Sequence, residues 1–153
     1  MLDKINEMKN NLTDVSGQVD AVKAKGTALI EKLKLFGLGV GAIILMGFLA
    51  QMMFPWWTIA IVAFYVGFWI NETPAASMAY GTVAVTFLWT AYAGWQSSAN
   101  GGIVSTSLSD IFNGAVSGTQ LIFATGLIGG LVGGFATMAG TLFRDLFKKE
   151  VVA

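Results

Sequence analysis

The sequence predicts an all-α membrane protein: an N-terminal cytoplasmic amphipathic or coiled-coil helix followed by four transmembrane helices arranged as two hairpins. Three observations predict it. Hydrophobic residues make up 55% of the 153 and charged residues only 12%, well outside soluble composition. All nine basic residues lie at the two ends: Lys4, Lys9, Lys23, Lys25, Lys32 and Lys34 in one group, Arg144, Lys148 and Lys149 in the other. Between Leu35 and Phe143 the only charges are Glu72 and Asp110. The expected organisation is a helix over 1–35, a transmembrane domain over 36–143 and a basic cytoplasmic tail over 144–153.

The first element reads as a helix because its apolar residues recur in steps of three and four. Ile5, Met8, Leu12, Val15, Val19, Val22, Leu29 and Leu33 form one seam, with Gly26 filling the remaining place, and polar residues occupy the other sides. Such a seam fits a coiled coil or a docked partner helix, or else an amphipathic helix lying on a membrane surface. Ser16-Gly17 and Gly26 weaken the helix. The first apolar run begins more than thirty residues in, so no cleavable signal peptide is expected and the mature protein is expected to start at Met1.

Uncharged sequence runs from Leu35 to Asn71, which as one helix would be roughly 54 Å long against a hydrocarbon core of about 30 Å. It therefore has to fold back, and "QMMFPWW" at 51–57 is the natural break: Pro55 lacks an N–H and disfavours helix at Phe54. Trp56 and Trp57 suit the headgroup level. This gives spans over about 36–54 and 55–70. "NETPAAS" at 71–77 ends the second span, with Pro74 placed for the first turn of a third over about 75–95. Trp89, Tyr92 and Trp95 read as interfacial anchors at its far end. Residues 96–120 read as a Ser, Gly and Asn-rich connection holding one short surface helix, with a capping-type start at Ser105 to Ser107. The fourth span is expected over about 121–143. An even number of spans returns both basic termini to one side, as the positive-inside rule requires, so both termini are expected inside.

"FATGLIGGLVGGFATMAG" at 123–140 puts six glycines in an apolar helix: Gly126, Gly129, Gly130, Gly133, Gly134 and Gly140. At about 100° per residue they share one face with Thr137 and Thr141, opposite Leu127, Ile128, Leu131, Phe135, Met138 and Leu142. Glycine is a poor helix former, so this face is read as a groove for close backbone approach. Gly37 and Gly41 in the first span form a matching GxxxG pair. The groove can be filled from the same chain or from another copy. Glycine-rich helices also occur in rotor-ring subunits of rotary ATPases, but those carry an ionisable carboxylate near mid-membrane, and no span here contains one.

Cysteine and histidine are absent. That excludes disulfides, thiolate and imidazole catalysis, and zinc or haem sites built on those ligands. The acids are too scattered for a metal cage, and no Walker-type loop is present. No catalytic, cofactor or metal site is expected, and a net charge of zero gives no reason to expect nucleic acid. Gln51 is expected to cap backbone groups or bond a neighbouring helix. The expected function is non-enzymatic: a small integral protein of a cytoplasmic or virus-derived membrane, with the bilayer as partner. It would serve an assembly as repeated copies, or as accessory subunit of a larger membrane complex or virion membrane. The alternative is a homo-oligomeric pore, a small channel or holin-like protein, for which Ser77, Thr82, Thr86 and Thr90 would supply the polar stripe.

Overall fold

A computed structural model describes residues 1–70 and 72–150, and for 2, 3, 5, 10, 149 and 150 the backbone alone. The seam residue Ile5, the tail residue Lys149 and the end of the tail over 151–153 therefore lie outside the described side chains. The element order is α1 (Leu2–Met53), α2 (Thr58–Trp69), α3 (Pro74–Ala99), α4 (Ile103–Ile111) and α5 (Gly118–Glu150), with no strand among the described residues. Two helices are long and apolar enough to cross a membrane, α1 over Asn6–Met53 and α5 over Gly118–Lys148. α2 is apolar but has only 12 residues, a rise of roughly 18 Å. α3 has the length, yet its Ser, Thr and Gln residues dilute its hydropathy. The separate spans expected over 55–70 and 75–95 are thus one short helix and one long, less apolar helix.

Contacts divide the chain into units of 1–35 and 36–153. In the first, hydroxyls fold back on their own helix: Thr13 Oγ1 donates to Lys9 O at 2.8 Å and Ser16 Oγ to Thr13 O at 2.8 Å. This satisfies them without a tertiary partner. The seam residues Met8, Leu12, Val15, Val19, Val22, Leu29 and Leu33 are all exposed, from 46% at Val19 to 70% at Val22.

In the second unit the core is formed by Ile43 from α1, Ile59 and Val66 from α2, and Tyr80, Ala84, Val85 and Leu88 from α3. The break at Phe54–Trp57 falls where Pro55 requires it, and Thr58 Oγ1 donates to Pro55 O at 2.8 Å as α2 begins. Pro74 stands in the first turn of α3, behind an N-cap Thr73 whose side chain accepts from Ala76 N.

The expected long connection over 96–120 is mostly helical, because its Ser, Gly and Asn residues act as end signals. α3 continues to Ala99 and closes with Gly102 N donating to Ser97 O and Gly101 N to Ser98 O. α4 closes the same way, with Gly114 N to Ser109 O and Asn113 N to Asp110 O. Both are Schellman turns, and the left-handed backbone they need falls on Gly101 (φ 60°) and Asn113 (φ 52°). The expected capping start at Ser105 to Ser107 is displaced: α4 begins at Ile103 behind Gly102 with no side-chain cap. Ser105 Oγ instead donates to Gly102 O and shares a 2.9 Å hydrogen bond with Ser97 Oγ. α5 opens with a reciprocal capping box, Ser117 N to Gln120 Oε1 at 2.8 Å and Gln120 N to Ser117 Oγ at 3.3 Å.

Candidate functional site: glycine seam and aromatic cleft

The glycine face of α5 is filled from within the chain. All six glycines are buried, while Leu127, Ile128, Leu131, Phe135 and Leu142 on the other face are exposed. Going up α5 and down α3, Gly126 meets Thr90, Gly130 meets Thr86 and Gly134 meets Thr82, in steps of four on two antiparallel helices. In each case a Cβ on the glycine would overlap the threonine Oγ1. A second row runs beside the first: Gly129 under the Trp89 ring, Gly133 under Val85, and Thr137 over Gly81. Bulk on one helix is thus matched by its absence on the other, and at Gly81 the roles reverse. Backbones come as close as the side chains. A Cβ on Gly130 would stand 3.0 Å from Thr82 O, and one on Gly133 3.0 Å from Gly81 O. This proximity yields dispersion contact along the whole seam.

α2 joins on the same face further along. A Cβ on Gly67 would lie 2.8 Å from the Thr137 carbonyl carbon, and one on Gly140 2.9 Å from that of Phe64. Thr141 Oγ1 donates to Gly67 O at 2.9 Å and lies 2.7 Å from Ser77 Oγ, so one hydroxyl ties α2, α3 and α5 together with no exposure to solvent. Thr137 is equally buried and bonds back to Gly133 O at 2.8 Å. Just beyond, the Arg144 guanidinium donates to Ile70 O and, at 3.0 Å, to Glu72 O, and pairs with Asp145 at 2.9 Å. It thereby holds the end of α2 and the following turn against α5. The Glu72 carboxylate accepts from Thr73 N at 3.4 Å and remains partly exposed.

No family model, curated protein or solved structure matches this chain. The site is therefore read from its chemistry alone.

The GxxxG pair Gly37 and Gly41 does not meet the α5 groove: both are exposed, with nothing within 4 Å of an added Cβ. The closely packed glycines of α1 are Gly39, where a Cβ would lie 2.8 Å from Tyr80 Cδ2, and Gly47, against Ile59 and Leu88. They lie on the opposite face of the helix, eight residues apart. Sequence reasoning passed over Gly39 because it falls between Gly37 and Gly41, out of their GxxxG register, and over three others, Gly47, Gly67 and Gly81, which each stand alone. Their signal was a lone glycine inside an apolar run, which marks close approach of another backbone or ring.

Trp56, Trp57 and Trp95 are exposed at 68%, 50% and 68%. Trp89, expected as an anchor with them, is half-buried over Gly129 and edge-on to Trp56 at 6.4 Å. Next to this pair lies a cleft of about 500 Å³ walled by Phe48, Met52, Trp56, Trp89 and Tyr92. Gln51 lines it too, and its Nε2 is buried with no hydrogen-bond partner among the described residues. The expected capping role of Gln51 is therefore not made by this nitrogen. The cleft's chemistry is that of an apolar slot with one amide donor. Among the described residues no group of acids capable of holding a metal ion occurs.

Proposed function

We propose that the chain is a small, non-enzymatic integral membrane protein with a structural role in a membrane assembly, to which its N-terminal helix docks. The observation that supports this is a contrast. The α5 glycines and the α3 threonines, which sequence reasoning left open for a partner, are spent on the chain's own packing, whereas the seven described seam residues of α1 stay exposed. An apolar stripe of that length in water needs a cover.

The finer topology is four spans with both basic ends on the cytoplasmic side. α1, α3 and α5 have the length for it. α2 rises only roughly 18 Å and completes its crossing with the Phe54–Trp57 turn and the extended Ile70 at its end in the headgroup layers. The pore alternative loses its stripe in this reading, since Thr82, Thr86 and Thr90 pack on glycine and Ser77 bonds Thr141.

Native mass spectrometry of the protein extracted in nanodiscs, with amide exchange on the same sample, tests the proposal. Several copies or a defined foreign subunit, with α1 amides protected, is the expected result. A bare monomer whose α1 amides exchange as freely as an isolated helix would overturn it.

A further inference from the structure

We infer that the exposed seam of α1 docks on an anionic lipid surface, which rests on the docking-helix reading above and names what the helix docks to. With Leu12 and Val19 at heptad position a and Met8, Val15 and Val22 at d, the flanking e and g positions are 4, 9, 11, 16, 18, 23, 25, 30 and 32. They hold Lys4, Lys9, Lys23, Lys25 and Lys32 and no acid. Glu7, Asp14, Asp20 and Glu31 fall at b, c and f, away from the seam. All these charged side chains are exposed, and among the described residues none of the five lysines is ion-paired.

A second copy is a poor match for such flanks. Self-paired coiled coils set partner and orientation through opposite charges at e and g. Here parallel pairing faces Lys4 with Lys9 of the copy, and neither orientation finds an acid at any flanking position. A bilayer rich in anionic headgroups is a good match. With α1 bent where its first unit ends at Leu35, the stripe sinks into the acyl boundary, and the lysines lay their methylene stems along it and reach phosphate with their ammonium groups. The acids stand further round the helix, those at b and c roughly 4 Å higher than the lysines and those at f roughly 6 Å higher. The potential of an anionic surface decays over a Debye length of about 8 Å at physiological ionic strength, so the lower lysines are attracted more than the higher acids are repelled. A 3.5-residue repeat turns the stripe by about 20° per heptad, or roughly 80° over four heptads, which stays within one face.

The absence of native cysteine permits a direct test on the full chain. Val15→Cys and Val22→Cys are spin-labelled in nanodiscs holding one protomer each, of phosphatidylcholine alone or mixed equally with phosphatidylglycerol. Label depth is read from oxygen against nickel-chelate relaxation. The expected result is membrane-buried labels in the mixed discs, with the buried-to-free ratio falling at least about tenfold in neutral discs or high salt. Replacing Lys9, Lys23, Lys25 and Lys32 together by Gln lowers the ratio likewise, and replacing them by Arg preserves it. Labels that stay in water in both lipids overturn the inference. If they then couple spin to spin in crowded liposomes, or an acidic chain co-purifies, the docking-helix reading survives with a protein as occupant. If neither happens, that reading falls as well.

Discussion

Replacing Gly130 by Ala adds one methyl in the middle of the α3–α5 seam. The new Cβ would overlap Thr86 Oγ1 and stand 3.0 Å from Thr82 O and 3.2 Å from Thr86 Cβ. The hydroxyl can rotate away, but the carbonyl belongs to the α3 backbone and can retreat only if the two helices part. Forcing a methylene into such a contact costs about 1–3 kcal/mol, and parting the helices also thins the dispersion contacts at Gly126 and Gly134, one turn either side. Helix propensity works the other way, because Ala is better than Gly by about 1 kcal/mol. The net expectation is a loss of about 1–2 kcal/mol, and of more for Gly130→Leu. Gly41→Ala is the internal control: nothing lies within 4 Å of its Cβ, so it keeps the propensity term alone and is neutral or stabilising by up to about 1 kcal/mol. Reversible unfolding in mixed micelles, followed by the fluorescence of the five tryptophans, measures both. Thr86→Ala in the Gly130→Ala background should recover part of the loss, a coupling of about 0.5 kcal/mol or more. Wild-type stability for Gly130→Ala together with a clear loss for Gly41→Ala would refute the seam and place the contact on the other face of α1.

Thr141→Val keeps the shape but removes the hydroxyl between Gly67 O and Ser77 Oγ, and should cost about 1–3 kcal/mol in the same assay. Arg144→Gln loses the charged hydrogen bonds to Ile70 O and Glu72 O, and should cost about 1.5–3 kcal/mol and raise amide exchange at the end of α2. Val15→Asp with Val22→Asp should leave the bundle's unfolding midpoint unchanged while releasing whatever covers the seam, read as loss of α1 amide protection. Single cysteines at Thr13 and Ser98 should react with an impermeant maleimide from opposite sides of sealed vesicles; equal labelling from one side would refute the proposed topology.

Much of this fold is legible because its punctuation is local. Pro55 kinks or breaks a helix wherever it stands inside one, Pro74 suits a first turn, and nearly charge-free sequence between basic ends delimits an apolar domain. The small-against-large division of α5 is legible too, since glycines in steps of three and four share one face whatever covers them. What covers them is not, because register between distant helices is a property of pairs. Thr82, Thr86 and Thr90 read as a candidate wet stripe until each is seen opposite a glycine. Gly37 and Gly41 carry the GxxxG spacing yet sit in the open, whereas Gly39 and Gly47, with no motif, carry the α1 contacts. The region 96–120 misleads for a related reason. Ser, Gly and Asn are abundant both in loops and at helix ends, and two Schellman turns with a capping box place three ends within twenty-four residues. The Arg144 clamp was hidden because its acceptors are backbone carbonyls, which no sequence pattern marks.

The distribution of hydroxyls bears on the pore alternative more than their number does. A channel wall needs polar groups facing a shared space, whereas Thr82, Thr86 and Thr90 of α3 and Thr137 and Thr141 of α5 face other parts of the same chain. Thr137 bonds its own helix, Thr141 bridges Gly67 and Ser77, and the α3 threonines fill the glycine hollows. Faces left outward carry Leu45, Val83, Phe87, Leu127, Leu131 and Phe135, all exposed. Copies meeting through those faces would enclose a dry apolar space, and since lipid tails are as apolar as leucine, little favours that meeting over contact with lipid. The stretch of this chain where water makes apolar burial favourable is the exposed seam of α1, which the inferred docking on lipid would cover.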